Sequence, residues 1–208
     1  MNLSFHSKLI KLYFSPGLPI GQHLSLSAKI NDNLVARSYT PVSSDDDVGY
    51  MDLVIKDVHP KFPEAFGEYK IGDSIDVRGP SGRLIYLGRG QFQITANRRE
   101  PPVIMKVDNV APESLLCYAG SSCDKDPEDH TKLALLFANQ SENDILLRDE
   151  LEKASENFPD IFKVWYTVDR PSEDWKYSVG FVSSEMIAEH LFPPSSNNLV
   201  LMCGPPHG

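Results

Sequence analysis

The chain has 208 residues, 41% of them hydrophobic and 24% charged, which fits one large or two small globular domains and excludes wholesale disorder. A formal net charge of −9 excludes a general nucleic-acid binder, which needs a basic footprint. Three cysteines (Cys117, Cys123 and Cys203) with no C-x-x-C exclude a disulfide scaffold and a zinc site, and the six histidines show no metal-ligand spacing.

The N-terminus, MNLSFHSKLIKLYF, carries lysines inside any apolar stretch and lacks a small-residue cleavage site, so it does not read as a signal peptide. Asn2 excludes N-myristoylation. No apolar run reaches the length of a membrane span, and the chain reads as soluble and cytoplasmic. The first half then alternates with period two. Leu24, Leu26 and Ala28 alternate with Ser25, Ser27 and Lys29; Met51, Leu53 and Ile55 with Asp52, Val54 and Lys56; Ile75 and Val77 with Asp76 and Arg78. Leu84–Tyr86 and Phe92–Ile94 are short apolar runs between glycines. Turn signals between these runs predict an antiparallel β-barrel over residues 1–96. Residues 97–113, rich in proline and polar groups, are expected to be a linker.

From residue 114 the pattern changes. Leu115–Ala119 reads as a strand, and the continuous apolar run Leu133–Ala138 as a buried parallel strand. Ser141 begins S-x-x-D, so a helix is expected from there through Leu147, Leu151 and Ala154 to about Asn157. Phe162–Val168 is the next strand, Ser183 and Ser184 offer N-caps for a helix through Leu191, and Leu199–Cys203 is a last strand. This order predicts a parallel α/β sheet over 114–208, with nucleotides bound at its carboxyl edge. A basic island, Arg78, Arg83, Arg89, Arg98, Arg99 and Lys106 with only Glu100 opposing, is a solvated surface or a docking face for an acidic partner.

Seven blocks stand in order: RSYTPVSSDDDVGYMDLVIK (37–56), HPKFP (59–63), IGDSIDVRGPSG (71–82), KDPEDHTKLALLFANQSENDILLRDELE (125–152), WYTVDRP (165–171), GFVSSEMIAEHL (180–191) and LVLMCGPP (199–206). Together they closely resemble the NADH-cytochrome b5 reductases of the ferredoxin-NADP reductase superfamily. The resemblance implies a barrel that holds FAD, an α/β domain that binds NADH, and delivery of single electrons to cytochrome b5 or a similar haem acceptor. Carried over residue by residue, it makes Arg37, Ser38, Tyr39 and Thr40 flavin contacts. It sets Val54 and Lys56 on the flavin-side strand and His59 and Phe62 in the loop over the adenine side. Gly120 remains from the nucleotide loop. Asp169, at a strand end, implies acceptance from ribose hydroxyls and a preference for NADH over NADPH. Cys203, Gly204, Pro205 and Pro206 match the family's Cys-Gly-Pro-Pro beside the nicotinamide. Thr40, Lys56 and Cys203 are the expected catalytic residues, and no metal is expected.

The chain departs from the family pattern at three places. HPKFPEAFGEYKIGD leaves no room for the glycine-rich loop and helix that cradle the FAD pyrophosphate. GSSCDKDPEDHT stands where the family has a longer glycine-rich nucleotide loop and helix, and the sequence stops at GPPHG. The sharp edges of these gaps resemble removal by alternative splicing or a misread gene. The alternative to a working reductase is therefore a non-catalytic or poorly folded variant that has lost both loops.

Overall fold

Alternation on two strands builds the first core. In the computed structural model, which describes residues 7–12, 17–30, 33–43, 50–56, 74–96, 101–111 and 126–204, β2 (His23–Ile30) buries Leu24, Leu26 and Ala28. Strand β4 (Met51–Lys56) buries Met51, Leu53 and Ile55. All six belong to one cluster with Leu18, against which Val35, Tyr39 and Ile75 pack. Two antiparallel sheets supply it. β1 (Ser7–Leu12) pairs with β4, while β3 (Asn33–Tyr39) and β5 (Asp76–Ser81) flank β2. The described strands are barrel-like without closing. Strand β5 lies at an edge, where Asp76, Arg78 and the donor-less Pro80 face solvent and discourage further pairing.

These strands lie in the first of two compact units, Met1–Arg83 and Leu84–Gly208. The second unit holds β6 (Leu84–Gly88), β7 (Gln91–Ile94) and β8 (Val103–Lys106) in an antiparallel sheet. It also holds a five-stranded parallel sheet of β9 (Asn109–Ala111), β10 (Lys132–Ser141), β11 (Phe162–Arg170), β12 (Ser178–Val179) and β13 (Asn198–Val200). Strands β8 and β9 fall inside the stretch expected to be a linker. Strand β8, with β-branched Val103 and Ile104, completes a ladder on β7, and Val110 is fully buried between β10 and β13. The expected strand Leu115–Ala119 lies outside the described residues.

The parallel sheet has the order β12-β11-β10-β9-β13. Helix α1 (Arg148–Asn157) follows β10, and α2 (Ser184–His190) follows β12. They cover opposite faces: Arg148 of α1 lies over the ring of Tyr166, while His190 of α2 stacks on Trp165, the neighbouring residue of β11. Ser183 caps α2 as expected, accepting from the Met186 amide at 3.3 Å. Ser141 does not start α1. Its hydroxyl donates to Asp144 at 2.7 Å, a 3-10 turn forms at Glu142–Asp144, and Leu147 takes a left-handed conformation (φ 54°) before the helix begins. The last strand ends at Val200 and not at Cys203.

A buried carboxylate ties the two sheets of this unit together. Asp129, only 7% exposed, accepts from the Tyr86 hydroxyl, from the Arg89 amide at 3.2 Å, and from the amide and hydroxyl of Thr131 at 3.1 and 2.6 Å. The Tyr86 oxygen in turn accepts from the Gly90 amide at 3.1 Å. The turn from Gly88 to Gly90 is thereby fastened to the residues that lead into β10. Gly90 has φ 74°, and a Cβ there would collide with the Val107 carbonyl. Asp129→Ala leaves the buried Tyr86 hydroxyl and Arg89 amide without their acceptor. It should lower unfolding stability by about 2–4 kcal/mol in urea titration. Asp126→Ala, which breaks the exposed pair with Arg89 and an exposed bond from the Glu128 amide, should leave the urea midpoint nearly unchanged.

Candidate functional site

In the first unit the polar residues of RSYTPVSS cluster at the end of β3. Arg37 and Tyr39 lie opposite Leu26 and Leu24 of β2, so both stand on the core-side face. Tyr39 is half-buried against the core. Arg37 is exposed, on a strand that is at an edge among the described residues, and one of its donors meets the Ala36 carbonyl at 2.9 Å. Burial pushes the Tyr39 phenol above its ordinary value, and the nearby Arg37 charge opposes that rise. Ser38 points the other way, with its hydroxyl 3.3 Å from that of Ser25. Thr40 is half-buried just beyond β3 and Pro41 is buried. The following residues are tied to β4: the Val42 amide donates to the Asp52 carbonyl and the Asp52 amide to the Ser43 hydroxyl, both at 2.9 Å.

Val54 lies on the face of β4 away from the buried Leu53 and Ile55. Lys56 is the last residue of β4, and its side chain is outside the description. His59, Phe62, Gly120 and Pro205 fall outside the described residues, as do the segments expected to lack the pyrophosphate and nucleotide loops.

In the second unit the chain runs from β9 through β10 and β11 to β12 in one direction. It then crosses back to place β13 on the other side of β9. A crevice opens at the carboxyl ends of strands where an open parallel sheet reverses its order in this way. Here the order reverses between β9 and β13, whose ends are joined by the Leu201 amide donating to the Ala111 carbonyl at 2.9 Å. Cys203 and Gly204 lie just past that end and are exposed. Asp169, the penultimate residue of β11, is exposed at the same edge.

Sequence reasoning missed a polar lattice beside Asp169. Glu142 accepts from the Ser172 amide at 3.2 Å and from its hydroxyl, and from Arg148 at 3.0 Å. Arg148 also donates to Glu152 at 2.8 Å and lies over the Trp175 ring. Arg170 donates to Gln140 at 3.1 Å. The only sequence signal was the Arg148–Glu152 spacing on a helix; Ser172 and Arg170 lie thirty positions from Glu142 and Gln140, and Arg148 meets Glu142 across the turn before the helix. In the basic island, Arg89 is engaged by a forked pair with Asp126 at 2.8 and 3.3 Å, whereas Arg78, Arg83 and Lys106 are exposed.

Comparison with known proteins adds a second line. A family model described as an oxidoreductase FAD-binding domain matches residues 5–86, and one described as an oxidoreductase NAD-binding domain matches residues 121–207. The chain is 50% identical over 210 residues to NADH-cytochrome b5 reductase 3 of Rattus norvegicus, covering 91% of this chain and 68% of that protein. It is 51% identical over 209 residues to NADH-cytochrome b5 reductase 2 of Gallus gallus, with the same coverage. Among solved structures it is similar to the cytochrome b5 reductase domain of Ulva prolifera nitrate reductase. The TM-score is 0.87 at 31% identity, covering 99% of this chain and 84% of that one.

The carboxyl-edge lattice carries a pH signature. The Ser172 hydroxyl first, and then Arg148, hold the Glu142 carboxyl below its ordinary value of 4.5. A depressed carboxylate stabilises the fold above that ordinary value, and the contribution is lost as pH falls through the lower folded value. Wild type should therefore melt above Glu142→Gln at pH 7, and the gap should close as pH is lowered below about 4. A gap that persists or widens in acid would remove the charge of Glu142 from the interaction.

Proposed function

The chain belongs to the NADH-cytochrome b5 reductase family, and from this premise we propose how its own residues serve electron transfer from NADH through FAD to cytochrome b5. The observation that carries the reading is one sequence, about half identical to the reductases, that brings Asp169 and Cys203 to the carboxyl edge of a parallel sheet.

We assign FAD to residues 1–96, with Arg37, Tyr39 and Thr40 as its principal contacts. The residues present fit the group. Arg37 holds an exposed guanidinium on the core-side face of an edge strand, with most of its fork turned to solvent. It can bind a pyrophosphate by charge-assisted hydrogen bonds. Tyr39 offers a half-buried ring beside that charge, and Thr40 a hydroxyl at the strand end. Ser38 faces the opposite side of the strand, so its part in binding runs through the backbone. Val54 and Lys56 are proposed for the flavin-side strand, and His59 and Phe62 for the loop over the adenine. When bound, the flavin supplies the chemistry that side chains lack, accepting a hydride from NADH and releasing electrons singly to a haem acceptor.

NADH is assigned to residues 114–208, with residues 97–113 between the two regions. Asp169 accepts hydrogen bonds from ribose hydroxyls, and its charge repels the extra phosphate of NADPH. Gly120, Gly204 and Pro205 supply close backbone approach, and Cys203 sets a thiol beside the nicotinamide. The partner is cytochrome b5 or a similar one-electron haem protein, met by exposed cations such as Arg78, Arg83 and Lys106. Among the described residues no helix is long and apolar enough to cross a membrane. Our reading of the location is cytoplasmic, as for family members at the cytosolic faces of the endoplasmic reticulum or mitochondrial outer membrane.

The test is a visible spectrum of the purified, desalted protein with and without added FAD, followed by anaerobic NADH. A flavin band that NADH bleaches is expected; a colourless protein that FAD does not restore would mean that the shortened loops have abolished binding. Arg37→Ala should weaken FAD affinity about 10- to 100-fold, as loss of a charged hydrogen bond of about 1.5–3 kcal/mol implies, with far-UV circular dichroism intact. Unchanged flavin content in that variant would remove Arg37 from the site.

A further inference from the structure

The loop that follows Asp169 is tethered on both sides to the neighbouring strand. Before it, the Arg170 guanidinium donates to Gln140 of β10 at 3.1 Å. After it, Ser172 gives both its amide, at 3.2 Å, and its hydroxyl to one oxygen of Glu142, in the turn that leaves β10. Pro171 between them has a fixed φ. The other Glu142 oxygen accepts from Arg148 at 3.0 Å, so the acceptor is itself anchored to α1. The same Arg148 lies 5.5 Å from the ring centre of Trp175, whose indole donates to the Ser178 carbonyl at 2.8 Å. The chain from Asp169 to Ser178 thus has few free torsions, although Asp169 through Asp174 are all exposed.

Such a lattice is more than an isolated surface ion pair needs. It fixes the backbone just after one exposed carboxylate, which the β10–β11 ladder already holds between Val168 and Arg170, at the edge where we place the nucleotide. We propose that Ser172 and Glu142 are positioning residues that hold Asp169 in place, so that the tether between them sets the preference for a free 2′-hydroxyl over a 2′-phosphate. The inference rests on the reading that Asp169 meets the ribose. Glu142 contributes only through Ser172 and does not touch the nucleotide. Removing the Ser172 hydroxyl therefore loosens Asp169 while leaving every charge in place, which separates positioning from plain electrostatic repulsion.

The experiment is calorimetric titration of the purified full chain with ADP-ribose and with 2′-phospho-ADP-ribose, alongside thermal unfolding. Variants are Ser172→Ala, Ser172→Thr, Glu142→Gln and Asp169→Ala. Ser172→Ala and Glu142→Gln should weaken ADP-ribose about 3- to 10-fold and narrow its advantage over the 2′-phosphate by a similar factor, the scale of one hydrogen bond. Ser172→Thr, which keeps the hydroxyl, should restore both. Asp169→Ala should abolish the discrimination. If Asp169→Ala does so and Ser172→Ala changes neither affinity, the positioning role is wrong and the reading of Asp169 stands. Equal weakening of both ligands with a lowered melting temperature would reduce the tether to a structural part and overturn the proposal. Unchanged discrimination in Asp169→Ala, or no ADP-ribose binding by wild type, would overturn the reading and the proposal with it.

Discussion

The second unit depends on one buried carboxylate. Asp129 receives four donors from three residues, and those from Tyr86 and Thr131 are buried. Leaving any of them unpaired costs more than the net gain from a typical hydrogen bond, so the clasp is maintained as a set. The β6–β7 hairpin would otherwise project its buried Tyr86 and Phe92, whose rings meet at 4.8 Å, with no wall to close them. Through Asp129 and Thr131 that hairpin is joined to the residues that begin β10. The Val107 amide, donating to the Gly90 carbonyl at 2.8 Å, joins it to the segment that begins β9. Strands β9 and β10 of the parallel sheet are thus anchored at their amino ends.

Anchoring at the amino ends leaves the carboxyl edge outside this clasp. The long strands β10 and β11 share a ladder from Leu133–Phe162 to Ser141–Arg170, and apolar burial stops before its end. Val168 is fully buried and Asp169 exposed, so one residue separates the core from the edge where we propose that the nucleotide binds. The opposed helices maintain this step. Arg148 sits over Tyr166 on one face, while on the other His190 stacks on Trp165 with ring centres 3.7 Å apart and an interplanar angle of 10°. Burial raises the Tyr166 phenol well above its ordinary value, consistent with a ring that serves packing and not proton transfer.

The first unit solves a related problem with an edge strand. Among the described residues strand β3 pairs only with β2, so a side chain on its core-side face is not necessarily enclosed. Val35 and Tyr39 use that face to close the core, while Arg37 between them reaches solvent. An arginine on the inner face of an edge strand also discourages further strand addition. The same placement keeps its guanidinium available to an anion.

Strand positions with strict alternation were legible in the sequence, because burial on one face forces period two: Leu24, Leu26, Ala28, Met51, Leu53 and Ile55 all entered the core. Phe162–Val168 and the Ser183 cap were legible for similarly local reasons. The family, its cofactors and its haem partner followed from ordered blocks of near-intact motif. What no local pattern carried was pairing at a distance. Strand β9 looked like a linker because its partners, β10 and β13, lie further along the chain and a three-residue strand has no period to detect; β8 pairs with the preceding β7 but is too short and unalternating to stand out. Ser141 looked like a helix cap until its hydroxyl met Asp144. The sequence by itself determined which residues are apolar, where strands and helices can begin, and which ligand chemistry the motifs suit. Only the tertiary structure decided that Asp129 clasps a hairpin some forty residues away, and that Glu142 holds the loop after Asp169. Hydrogen bonds between distant segments exist only once packing has brought donor and acceptor together.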